Sequence, residues 1–274
     1  MTWVIGASSI FDYGAMMSDV RVTFRDRSER DLVQKAYPVG RFIVAGFAGS
    51  VRIGFQMLES LTQFLIVPSN APPGAWEPEW VAEHWKPIAS QIFATADPLE
   101  QALRCHILLV GMSNKVDPVA AANPRAVQMP RACIVRFSSP DFDPVIKNKR
   151  LSVDHIGSGG HVEHYTTMMQ HHFELSSGAL KAEMGALGMW PKMLGSNIAR
   201  LVAERPTEGI SPHVHILVCR NGQIFTMTND EKRTAMLRAL ISAFVFRHSF
   251  DIRHSGFVIY CGIPRPAAAG LGST

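Results

Sequence analysis

Between Lys35 and Phe47 the chain carries two strand-length runs, Lys35–Val39 and Arg41–Phe47, split by Gly40, that alternate apolar and polar residues only weakly. A strand with one face in water alternates, so strands written this way are covered on both faces. A sheet of such strands needs a packed layer on each side, which constrains the fold more than any other feature of the chain. The period then changes. Ile53, Met57, Leu61, Phe64 and Leu65 share one helical face, predicting a helix that runs to about Ile66 and is closed by Pro68.

The same two periods recur along the sequence. Residues 3–7 and 15–23 read as a hairpin with turn chemistry in Asp12-Tyr13-Gly14. A proline-rich loop over 68–78 precedes a helix from Glu79 to Ala94, which Pro87 should kink. Asp97 is placed to cap a short helix that has Pro98 at its first position and ends near Leu103. Strands are expected at His106–Met112, Ala132–Phe137, Pro144–Ile146 and Ser152–Ile156, with Asp117–Pro130 as an insertion. Helices follow from Gly160 to Leu175 and from Ala179 to Ala203, the second interrupted at Trp190-Pro191. His213–Cys219 alternates cleanly and pairs through Arg220-Asn221-Gly222 with Gln223–Thr228. A helix over Glu231–Phe246, a short strand at Phe257–Tyr260 and a disordered tail over 263–274 complete the reading.

At 274 residues, 47% hydrophobic and 18% charged, the chain can bury a large core as one domain over 1–262, with insertions near 68–100 and 113–130. The net charge of +4 is not gathered into a basic block, which argues against a nucleic-acid partner. Cys105, Cys133, Cys219 and Cys261 show no Cys-x-x-Cys spacing and sit in apolar runs, as buried reduced thiols do. No secretory signal pattern opens the chain, and Ala235–Phe246, interrupted by Arg238, is too short to span a bilayer. The expectation is a cytoplasmic protein with no membrane partner. His161, His164, His171 and His172 share one expected helix, and His213 and His215 one strand face, but His-Glu-x-x-His is absent; surface or core histidines are the simpler reading.

Thr2 becomes the first residue if Met1 is removed, and methionine removal operates when the second residue is as small as threonine. A threonine hydroxyl is a poor nucleophile until a base stands within hydrogen-bond reach, and an N-terminal residue carries that base in its own α-amine. Such an amine has a pKa of about 7.7–8.0, so a useful fraction is neutral near pH 7. A neighbouring lysine lowers that value further, and a carboxylate keeps the lysine charged and aimed. Lys35 and Asp19 are the residues suited to those roles.

Taken together, Thr2, Ser18-Asp19-Val20-Arg21-Val22-Thr23, Lys35-Ala36-Tyr37-Pro38-Val39, Phe42 to Ser50 and His155-Ile156-Gly157-Ser158-Gly159-Gly160 resemble the catalytic β-type subunits of proteasomes and the bacterial HslV peptidase. In that family an acid precedes Arg-Val-Thr or a similar run and the lysine follows sixteen positions later, the interval from Asp19 to Lys35. The resemblance implies an α+β fold, a four-layer αββα sandwich of two mainly antiparallel sheets. It implies that Gly46 supplies an oxyanion N–H, that Ser158 stands beside the threonine amine, and that Val44, Ala45 and Ala48 border the substrate pocket. It further implies a threonine-type endopeptidase acting on peptides or unfolded proteins inside a homo-oligomeric ring. No metal or organic cofactor is called for, and an ATP-dependent unfoldase or other activator is implied as partner. This chain has no Gly-x-x-x-x-Gly-Lys-Ser/Thr loop of its own. An inactive ring scaffold and an N-terminal nucleophile amidase acting on a small molecule are the alternatives. Two stretches depart from the family pattern. Glu204-Arg205-Pro206-Thr207-Glu208-Gly209 puts Arg205 or Pro206 where an aspartate belongs, leaving Glu204 or Glu208 after a shift. The interval from Thr2 to Asp19 is one residue longer than the family's usual one, which a bulge in the Gly6 to Gly14 turn would absorb.

Overall fold

The computed structural model of the chain describes residues 2–9, 13–24, 27–66, 77–114, 130–167, 189–207, 209–220 and 223–228. The weakly alternating runs become β5 (Ala36–Pro38) and β6 (Ile43–Gly49), the latter buried over all but its last residue. With β7 (Cys105–Ser113), β8 (Arg131–Ser138) and β9 (Val145–Lys147) they form one five-stranded sheet in the order β5-β6-β7-β8-β9. A second five-stranded sheet takes β1 (Val4–Ser8), β2 (Gly14–Asp19), β10 (Val153–Ile156), β11 (Val214–Arg220) and β12 (Gln223–Thr228) in the order β10-β1-β2-β11-β12. β3 (Arg21–Thr23) and β4 (Glu29–Asp31) make a separate two-stranded ribbon. Every described pairing is antiparallel, and the architecture is α+β.

Both faces of β6 are covered, and by different partners. Val44 and Ala48 join an apolar cluster that draws Val4, Met16 and Leu217 from one sheet and Leu108, Val110 and Ile134 from the other. Ile43, Ala45 and Phe47 point the opposite way, into a cluster shared with α1 (Val51–Phe64), α2 (Pro78–His84) and α3 (Lys86–Ala94). On the far side of the other sheet, Ile5, Ala15, Met17 and Ile216 meet Leu194, Ile198 and Val202 of α5 (Met189–Glu204). α1 starts where Ser50 accepts a hydrogen bond from Ile53 N at 3.1 Å, an N-cap that satisfies one orphan donor. Its apolar face, Ile53, Met57, Leu58 and Leu61, is fully buried, each side chain contributing about 1.5–3 kcal/mol by leaving water.

Several elements differ from the sequence expectation, each for a local reason. The strand expected over 15–23 breaks at Val20, whose carbonyl accepts from Leu32 N at 3.0 Å and Val33 N at 3.1 Å, so β3 turns away to pair with β4. The β1–β2 register runs unbroken from Val4↔Ser18 to Ser8↔Gly14, so no bulge interrupts it, and Ser9 N donates to Tyr13 O at 2.9 Å beyond it. Pro87 ends rather than kinks the helix of 79–94: Trp85 closes α2 and Pro87 sits in the first turn of α3. Residues 77–100, assigned to an insertion, supply buried Val81, Ala82, Trp85, Ala89 and Phe93 to the core. α4 (Pro98–Ala102) is capped as expected, Leu99 N donating to Asp97 at 2.8 Å. The β11–β12 hairpin forms, and Pro191 lies near the start of the described part of α5 without breaking it. Of the helix expected over 160–175, residues 163–167 are helical and 168–175 lie outside the described residues. Also outside them are most of the loop and insertion over 68–76 and 115–129, residues 179–188, Glu208, His171, His172, Cys261, and the expected helix, strand and tail beyond 228.

Candidate active site

Thr2 precedes β1 at the point where the β1–β2 register, continued by one pair, sets Trp3 opposite Asp19. Trp3 N donates to Asp19 Oδ2 at 2.5 Å, and Asp19 N donates back to Trp3 O at 3.1 Å. The ladder therefore delivers the Asp19 carboxylate beside Thr2. Lys35 arrives from the other sheet, because the Leu32-Val33 segment hangs on the Val20 carbonyl and Lys35 O accepts from Phe47 N at 3.0 Å. Lys35 Nζ donates to Thr2 Oγ1 at 2.8 Å and to Asp19 Oδ1 at 2.9 Å. Asp19 Oδ1 also accepts from Arg21 N at 2.8 Å.

The fourth member comes from after β10. Thr2 N donates to Ser158 Oγ at 3.2 Å, and Ser158 Oγ reaches Thr2 O at 3.4 Å. Gly157 makes this approach possible: its φ of 87° is left-handed, and a Cβ there would lie 2.2 Å from Thr2 O. With Met1 attached the Thr2 nitrogen is an amide, and once it is removed the same nitrogen is an amine facing a hydroxyl. Thr2, Asp19, Lys35 and Ser158 thus meet in one place, although 156 residues separate the first from the last.

Thr2 is 8% exposed, Asp19 3% and Lys35 1%, so the chain of polar groups is nearly dry. Burial pulls the Lys35 ammonium below its ordinary 10.5, with Asp19 working in the opposite sense. A lysine held this way donates to the hydroxyl oxygen and stabilises negative charge that develops there. Behind it stands a second polar group. Arg21 Nε pairs with Asp31 at 2.8 Å, and buried Ser211 donates to the other Asp31 oxygen at 2.8 Å. Ser211 was not singled out from the sequence.

The glycine-rich segment of β6 needs a correction. Phe47 N–H is taken by β5, so the alternation of an antiparallel ladder turns Gly46 N–H toward β7, where Leu108 is its register partner. Gly46 is buried between the sheets, where a Cβ would lie 2.8 Å from Val4 Cγ1, and is not placed to serve an oxyanion. Gly49 shares the direction of Phe47, lies beyond the end of β5 and is exposed. Its φ of 99° and the 2.4 Å approach of Arg104 O to a Cβ there admit only glycine. Of the pocket residues, Ala48 borders the site, its Cβ being 3.2 Å from the Cβ position of Gly157. Val44 lies four residues deeper in the strand, about 13 Å away. Ala45 faces the helices and cannot border the site.

Other expectations resolve simply. Glu204 ends α5 with its side chain 64% exposed, 3.9 Å from Arg200, and makes no approach to Ser158 among the described contacts. Tyr165 instead holds the Arg205 carbonyl at 2.8 Å and stacks on Trp3 at 5.0 Å. Cys105, Cys133 and Cys219 are buried, and burial pushes the thiols of Cys105 and Cys219 up to about 12. Among the described residues no group of three or more His, Cys, Asp or Glu is arranged to hold a metal, and no helix is long and apolar enough to cross a membrane. No protein-family model and no curated protein matches the chain.

Proposed function

We propose that the chain is a threonine-type N-terminal nucleophile hydrolase of the proteasome β-subunit and HslV kind, cleaving peptide bonds. The observation that carries this reading is the contact series from Asp19 through Lys35 to Thr2 Oγ1, with Ser158 at the Thr2 nitrogen. The apolar clusters between the sheets and beneath α1–α3 and α5 support the four-layer αββα sandwich that the resemblance implies.

In this mechanism Met1 is removed, Thr2 Oγ1 attacks the substrate carbonyl, and its proton passes to the Thr2 amine. Lys35 stabilises the developing alkoxide and keeps the amine's proton affinity low, and Asp19 fixes Lys35 through Oδ1, which also accepts from Arg21 N, while Oδ2 is held by Trp3 N. Gly49 N–H receives the oxyanion, a donor worth about 2.7–4 kcal/mol in the transition state. The amine protonates the leaving nitrogen, an ester on Thr2 forms, and water hydrolyses it. Assembly into a homo-oligomeric ring and an ATP-driven activator belong to the same proposal.

The test is hydrolysis of a mixed peptide library by the purified protein after its mass shows Met1 gone. Cleavage that disappears in Thr2→Ala supports the reading. Cleavage that persists in Thr2→Ala, or a correctly processed protein that cleaves nothing alone or with activator, removes it in favour of the scaffold.

A further inference from the structure

The side of the site beyond Ala48 carries charge that the proposed reaction does not use. On β7, His106 stands directly opposite Ala48 in the ladder, on the face that holds Leu108 and Val110 between the sheets. Directly opposed residues bring their Cβ atoms to about 4.5–5.5 Å. On β8, Arg136 lies diagonally from His106, whose direct partner is Ser138. Diagonal neighbours are about 7–8 Å apart, within reach of an arginine. Ala48 in turn touches the Gly157 position that abuts Thr2. Neighbouring positions therefore run from Thr2 through Gly157 and Ala48 to His106 and Arg136.

The facing sheet contributes Asp154, 4% exposed, which Arg136 Nη1 approaches at 3.4 Å and Lys147 Nζ at 3.2 Å. That carboxylate holds Arg136 in place without saturating it, since a guanidinium has five N–H donors and this one is 34% exposed. Burial lowers the His106 pKa, and Arg136, Arg104 and His161 push it the same way, so cationic groups surround this imidazole. Nothing in the Thr2, Lys35 and Asp19 chemistry requires these groups.

We propose that this side of the site is an acid-selecting subsite, in which Arg136 and His106 receive a side-chain carboxylate of the peptide while Thr2 addresses the bond to be cut. This assignment rests on the hydrolase reading above for the substrate class, and the geometry supplies the charge. Arg136 forms the charge-assisted hydrogen bond, and Asp154 acts as a positioning residue for it.

The test separates binding from chemistry by using full-length Thr2→Ala protein. Acetylated hexapeptides, each with one glutamate at a successive position, and their glutamine counterparts are titrated by calorimetry. At one position the glutamate peptide binds at least about tenfold more tightly than its counterpart. That preference is lost in Arg136→Gln and weakened in His106→Phe, each added to Thr2→Ala, and kept in Arg136→Lys, which retains the charge. No preference at any position, no binding at all, or a preference that survives both Arg136→Gln and His106→Phe overturns the subsite. Acid-selective binding by a wild-type protein that hydrolyses nothing would keep the subsite and retire the peptidase, whereas hydrolysis without acid preference would do the reverse.

Discussion

Asp19→Asn removes one charge and almost no volume, yet the surroundings leave the new amide nowhere to go. Asp19 accepts from Trp3 N at 2.5 Å through one oxygen, and from Arg21 N at 2.8 Å and Lys35 Nζ at 2.9 Å through the other. An asparagine places an NH2 either against the Trp3 N–H or against two donors at once, and Lys35 loses its counter-charge at 1% exposure. Breaking a buried pair from one side costs about 3–5 kcal/mol, a third or more of an ordinary domain's stability. In urea unfolding, with an m-value on the order of 3 kcal/mol per molar, the midpoint falls by about 1–1.7 M. Lys35→Met removes the other partner, and the double variant costs less than the sum of the two because the second change deletes a charge the first has stranded. A loss below about 1 kcal/mol for Asp19→Asn, or strict additivity in the double variant, would refute the argument that the two groups are one buried unit.

Gly157→Ala sets a Cβ 2.2 Å from Thr2 O at a φ of 87°, so stability falls by about 1–3 kcal/mol and hydrolysis falls with it, as thermal melts and peptide assays would record. Ser50→Ala removes the cap on Ile53 N and the hydrogen bond to Glu100, costing about 1 kcal/mol in denaturant titration. For Lys35, whose folded pKa lies below 10.5, the unfolded chain holds more protons between the two values. Its contribution is therefore present above 10.5 and lost as pH falls through the folded pKa, so the melting difference between wild type and Lys35→Met shifts in favour of the wild type as pH rises toward 10.5.

Much of this was legible from residue order. Strand positions followed from apolar runs, and Asp97 and the Arg220–Gln223 hairpin from capping and turn chemistry. Thr2, Asp19 and Lys35 could be singled out by the chemistry that an N-terminal nucleophile needs, and Ser158 through the family resemblance alone. The errors have a common source in pairing, which a sequence does not print. Gly46 and Gly49 are told apart by which neighbouring strand their N–H faces, and Ala45 and Ala48 by parity on β6. The break at Val20 depends on hydrogen bonds from Leu32 and Val33, and the Ser211 to Asp31 contact closes over 180 residues.

The central claim is that the Thr2 hydroxyl and a freed Thr2 amine act together. The direct measurement is intact mass after exposure to an electrophilic peptide that bonds to both the hydroxyl and the free amine of an N-terminal threonine. The account predicts a chain short by one methionine that gains one label per chain, mapped to Thr2 and absent in Thr2→Ala and Lys35→Met. A chain that keeps Met1, or a processed chain whose Thr2 stays unlabelled, would contradict it.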